Sequence, residues 1–123
     1  MPSDEEIYKL LNADNMRKLL CTVKERDITY SKHFLHRLKL RSTYNEFIPR
    51  DTKEFKKMII NRYPTHVEYE NDDAKFQVFY NMNEEYDLIV IFAIKHIRKP
   101  TRINFITLHP QAARIRIETY GRE

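Results

Sequence analysis

The hydrophobic period of this 123-residue chain changes once, near Pro64 and Thr65, and that switch constrains the fold class more than any other feature. Before it, apolar residues recur at helical spacing: Ile7, Leu10 and Leu11; Met16, Leu19, Leu20 and Val23; Phe34, Leu35 and Leu38; Phe55, Met58 and Ile59. After it they alternate, as in Phe76, Val78 and Tyr80, or run unbroken over residues 88–94. Helices first and strands after define an α+β class. The separators at 71–74, 82–85, 96–101 and 109–112 are too short for crossovers, so they favour antiparallel hairpins. The expected architecture is N-terminal helices packed on one face of a four- to five-stranded antiparallel β-meander.

Punctuation residues place the elements. Ser3 or Asp4 caps a helix to about Leu11, and the polar stretch 12–15 breaks it, leaving open whether 3–23 holds one helix or two. Ser31 caps a helix to about Arg41. Asp51 or Thr52 caps another to about Arg62, and Pro64 ends it. Strands are expected at His66–Glu70, Lys75–Asn81, 86–95, 102–108 and Ala113–Tyr120. The third is apolar on both faces and is therefore expected at the centre of the sheet. The length suits one domain over 1–123, with 1–26 as a helical extension.

Several function classes are excluded by composition. A single cysteine, Cys21, allows no internal disulfide and no multi-cysteine zinc site. A single glycine, Gly121, rules out a phosphate-cradling glycine loop or dinucleotide fingerprint. His33 and His36 are three apart with no HExxH pattern, so no metal and no cofactor is expected. No apolar run approaches the ~18 residues of a membrane span, and the acidic start lacks an apolar segment. A cytoplasmic protein without membrane contact is the expectation.

Net charge is +4 and pI about 9.2, but the distribution is more telling. Residues 27–64 carry nine basic and four acidic side chains, whereas 65–100 carry four basic and seven acidic. Within the basic segment, His33, Arg37 and Arg41 fall at i, i+4 and i+8, one row beside the stripe of Phe34, Leu35 and Leu38. His36 points elsewhere. Imidazole moves protons near neutral pH, and guanidinium clamps a phosphate with two parallel hydrogen bonds. RNA cleavage needs little more, because the ribose 2′-hydroxyl is its own nucleophile. Arg114 and Arg116 alternate with Ile115 and Ile117 on the expected last strand, with Tyr120 following in register, which suggests backbone contacts by that strand. Thr107 is expected to point with Ile103 and Phe105. Each of these residues also has an ordinary role as a solvated or salt-bridged surface group.

The pattern Ser31-x-His33-x-x-x-Arg37 opening a helix, then a helix ending in Tyr63-Pro64, then a β-meander, resembles the RelE/ParE-like superfamily of toxin nucleases, in the group that holds BrnT-like toxins. The resemblance spans about Ile28 to Leu108. A penultimate strand of that family often ends Ile-Thr-x-Tyr; here Ile106 and Thr107 match, and Leu108-His109 departs from it. Several members also carry loop glycines that this chain lacks. The resemblance implies a prokaryotic, ribonuclease-like domain encoded beside an antitoxin-like protein that covers its active face, with His33, Arg37 and Thr107 carried over.

Together these features point to a metal-independent endoribonuclease of toxin type that cleaves RNA by 2′-hydroxyl attack. His33 is the candidate acid or base, Arg37 the phosphate clamp, and Arg41, Thr107, Arg114, Arg116 and Tyr120 are candidate substrate contacts. The alternatives are a non-catalytic nucleic-acid- or protein-binding module on the same scaffold, or a ParE-like inhibitor of a large protein. Expected partners are RNA, an antitoxin-like protein, and a second copy paired through the exposed last strand.

Overall fold

Caps local in sequence set the helices of the computed structural model, which describes residues 3–70, 74–98 and 100–121. Helix α1 spans Asp4–Lys9, with Glu6 N–H donating to the Ser3 hydroxyl. Helix α2 spans Ala13–Thr22, and its start is a reciprocal box between Asn12 and Asn15, which makes the break at 12 a true boundary. A 3₁₀ turn at Glu25–Asp27 leads into strand β1, Ile28–Tyr30. Helix α3, Lys32–Tyr44, is capped by Ser31 and runs three residues beyond its expected end; α4, Thr52–Asn61, is capped by Asp51. Leu35, expected in the core stripe of α3, is exposed, and Phe34 and Leu38 alone are buried there.

The strands then follow as β2 (His66–Glu70), β3 (Lys75–Asn81), β4 (Tyr86–His96) and β5 (Arg102–Ala112). They form an antiparallel meander, and the sheet order is β1-β5-β4-β3-β2. The turn expected at 71–74 lies outside the described residues except for Ala74, as does Lys99 in the separator 96–101.

Expectations about the sheet need correction, beginning with strand β5, which runs on through the expected 109–112 separator. The sheet is mixed, because β1 pairs parallel to β5, Ile28 opposite Ile103 and Tyr30 opposite Phe105. And the expected strand Ala113–Tyr120 is helix α5. Its Ile/Arg alternation imitates a strand, but the residues turned inward are Ala113, Arg116 and Ile117, at i, i+3 and i+4. Arg116 can occupy that helical stripe because it finds Asp87 on β4, and its Nε donates to Oδ2 across 2.7 Å. The edge-pairing route to a dimer therefore has no strand at 113–120.

Residues of alternate parity divide the sheet. Phe76, Val78 and Tyr80 of β3, and Leu88, Val90 and Phe92 of β4, join the main core with Phe34, Leu38, Phe55 and Met16. The rings of Tyr8, Phe34 and Phe55 meet Phe76 and Phe105 directly. The opposite parity carries Phe79, Asp87 and Ile89, and there α5 makes its contacts: Arg116 with Asp87, and Tyr120 stacked on His66 at 3.7 Å.

Candidate nucleic-acid interface

Ser31 determines where the basic row of α3 lies. Its N–H donates to the Phe105 carbonyl (2.9 Å) and its hydroxyl to the Ile106 carbonyl (2.7 Å), while the same oxygen accepts from Phe34 N–H (2.9 Å). One side chain thus caps the helix and fastens its first turn to the middle of β5. Beyond Phe105, β1 no longer pairs with β5, and α3 packs against that strand. The freed edge also explains how Pro110, which lacks an N–H, sits within a strand.

His33 and Arg37 stand one helical turn apart, and Arg37 Nε donates to His33 Nε2 at 3.4 Å. Arg41 follows one turn later. His33 is exposed; Arg37 and Arg41 are half-buried. Among the described residues no carboxylate oxygen lies within 4 Å of either guanidinium. Arg41 Nε is buried without a hydrogen-bond partner. Burial, and then the charge of Arg37, lower the Arg41 pKa from its ordinary value. Two guanidiniums held close enough to disfavour each other, with no counter-ion, form a local surplus of positive charge that an anion relieves.

The bulge in β5 determines what faces this row. Ile91 pairs with Thr107 and Phe92 with Phe105, so Ile106 is an extra residue. A bulge of this kind reverses side-chain parity along the rest of its strand. Leu108 consequently enters the core opposite Val90, whereas Thr107 and His109 turn to the face of Ile91 and Ile89. The expectation that Thr107 points with Ile103 and Phe105 is overturned, because alternation holds only up to the bulge.

The sequence pattern places His109 in the 109–112 separator, but the residue lies within β5. It is half-buried, and its pKa is lowered first by that burial and then by the positive charges of Arg41 and Arg37. Ser31 fastens α3 to β5, and on that strand His109 lies within the field of Arg41 and Arg37; His33 joins the group through Arg37. Strand β5 continues past Leu108 to Ala112, through a proline that reads in sequence as a strand end.

The remaining candidates are engaged elsewhere. Arg114 is exposed on α5 and lies 3.9 Å from Glu118. Arg116 is buried and committed to Asp87, so it is a structural ion pair rather than a substrate contact. Tyr120 stacks on His66 and meets Phe79 edge-on, at the β2–β3 side of the sheet away from β5. Burial raises its pKa, and a hydrogen bond with Glu68 adds to this. Among the described residues no group of three metal-ligating side chains occurs, and no helix is long and apolar enough to cross a membrane.

Fold and site define a small α+β protein with an uncompensated basic-imidazole cluster at the junction of a helix and a strand. The chain belongs to the MJ0788 family, which it matches over residues 14–92. That span contains His33, Arg37 and Arg41 and ends within β4, so Thr107 and His109 lie beyond it. No curated protein and no solved structure matches the chain.

Proposed function

We propose that this protein is a metal-independent endoribonuclease of toxin type, with the α3–β5 cluster as its site. The observation that carries this function is the Arg37–Arg41 pair, unpaired with any described carboxylate, beside two imidazoles. Each part meets a need of RNA cleavage by the 2′-hydroxyl. Arg37 and Arg41 hold the phosphodiester and stabilise the extra negative charge that develops on it. His33 exchanges a proton as acid or base. Thr107 adds a hydroxyl on the face of His109. An antitoxin-like protein partner and a cytoplasmic setting belong to the same proposal.

The second reading, a binding module for nucleic acid or protein, draws on α3 itself. Leu35, Leu40 and Tyr44 are exposed on the helix that carries the basic row. An apolar and aromatic surface beside cations suits a protein partner as well as stacked bases.

The test is incubation of a mixed-sequence single-stranded RNA with wild type and His33→Ala in EDTA. Cleavage by wild type with 2′,3′-cyclic phosphate ends, reduced in a folded His33→Ala, supports the enzyme. RNA that stays intact yet bound, with binding unchanged by His33→Ala and lost in Arg37→Ala, leaves the binding module.

A further inference from the structure

We propose that His109 is the general base of this site, taking the 2′-hydroxyl proton while Arg37 and Arg41 hold the phosphate. This rests on the ribonuclease function proposed above and assigns the role that His33 alone left open.

The geometry argues for it in three ways. First, the bulge at Ile106 turns His109 out of the core to the face of Ile89, while Ser31 fixes α3 beside the same stretch of β5. Without the extra residue His109 would share the parity of Ile103 and Phe105 and face the core. Bulges recur next to active sites because they re-aim a side chain in this way. Second, among the described residues no hydrogen bond engages the His109 ring, so its nitrogens are uncommitted, unlike His66, which is tied to Glu68 at 2.7 Å. Third, burial of the ring, and then the positive charges beside it, favour its neutral form. Arg37 and Arg41 approach from α3, and Asp87, the acidic residue two positions before Ile89 on the same face of β4, is neutralised by Arg116 of α5. A base must be unprotonated at working pH, and these surroundings favour that state.

The step balances with the groups in place. The O2′–P bond forms as the P–O5′ bond breaks. The 2′-hydroxyl proton passes to His109; once Arg37 turns from His33 Nε2 to the phosphate, that nitrogen is free to carry a proton from solvent, and His33 then gives a proton to the departing 5′-oxygen. The products are a 2′,3′-cyclic phosphate and a 5′-hydroxyl; solvent returns both imidazoles to their starting protonation.

The experiment is the pH dependence of kcat/KM on single-stranded RNA in EDTA, for wild type and His109→Gln, with binding of a 2′-O-methyl RNA of the same sequence measured in parallel. Expected is a rate loss of about a hundred- to ten-thousand-fold in His109→Gln, with affinity for the 2′-O-methyl RNA retained and the acid limb of the profile abolished. In wild type the acid limb should coincide with the titration of the His109 ring followed by NMR, which decides the matter even if the variant does not fold. Wild-type cleavage that survives His109→Gln, or an acid limb that does not track the His109 titration, overturns the assignment and leaves the nuclease standing. Loss of affinity in step with rate overturns it in favour of substrate binding. Absence of cleavage by wild type overturns both.

Discussion

Arg116 Nε donates to Asp87 Oδ2 across 2.7 Å, and both side chains are almost wholly removed from solvent. A second guanidinium nitrogen lies 3.4 Å from Oδ1, which also accepts from Asn81 Nδ2 at 3.1 Å. The carboxylate is thus met from α5 and from β3. Arg116→Leu strands a buried charge, and the expected cost is about 3–5 kcal/mol. The double variant Asp87→Asn/Arg116→Leu should recover a large part of that loss. Arg114→Ala, on the exposed side of the same helix, should stay within about 0.5 kcal/mol of wild type. Urea denaturation of the four proteins measures this; equal effects at 114 and 116 would contradict the helical assignment of α5.

Ser31→Ala removes an N-cap and a tether at once. The cap is worth about 1 kcal/mol in typical helices, and loss of the hydroxyl donor to the Ile106 carbonyl adds to it. The variant is expected to be destabilised by about 1–2 kcal/mol. It should also slow RNA cleavage, because the first turn of α3 then holds to β5 at this point only through the backbone bond from residue 31 to Phe105. A cleavage rate unchanged in a measurably destabilised Ser31→Ala protein would show that the tether does not position the site.

The folded-state pKa of His109 lies below its ordinary value of 6.5. Between the two values the unfolded chain binds more protons than the folded one, so stability contributed by this group rises with pH through that window. It is fully present above about 6.5 and is lost as pH falls toward the folded value. The difference in unfolding free energy between wild type and His109→Gln should therefore shrink on acidification below pH 6.5. A difference that is flat or grows over that range would contradict the burial of a neutral imidazole.

Affinity for single-stranded RNA should fall with added salt, since binding releases counterions from each phosphate contacted. Arg37→Ala and Arg41→Ala should each reduce the slope of log K against log salt by about 0.7 per lost contact. Lys57→Ala, an exposed change on α4, should leave the slope alone. Anisotropy titrations over a range of salt concentrations give the slopes directly; equal slopes in all four proteins would remove the α3 row from the interface.

What could be read from the chain depended on how local each determinant is. Caps at Ser3, Ser31 and Asp51 join residues three apart, and the alternation of β2 and β3 lies within each strand, so the helix starts and these two strands were legible, whereas α1 ends short of Leu11 and α3 runs past Arg41. Strand β1 was not, because three residues are strands only by pairing with β5 some 75 positions away. Helix α5 was hidden by Arg116, a charged residue on an inward stripe that only a distant Asp87 makes tolerable. His33, Arg37 and Arg41 could be placed in one row from helical period alone. Their neighbour His109 required both the bulge at Ile106 and the strand's passage through Pro110, neither of which the pattern announces.

The central claim is that the cluster cleaves RNA through the 2′-hydroxyl, and matched oligonucleotides test it most directly. One is all-ribose, the other 2′-O-methyl at every position, both incubated with wild type in EDTA. Cleavage of the ribose strand to cyclic phosphate ends, with the methylated strand bound but intact, is the predicted result. Cleavage of both strands, or of neither, would contradict it.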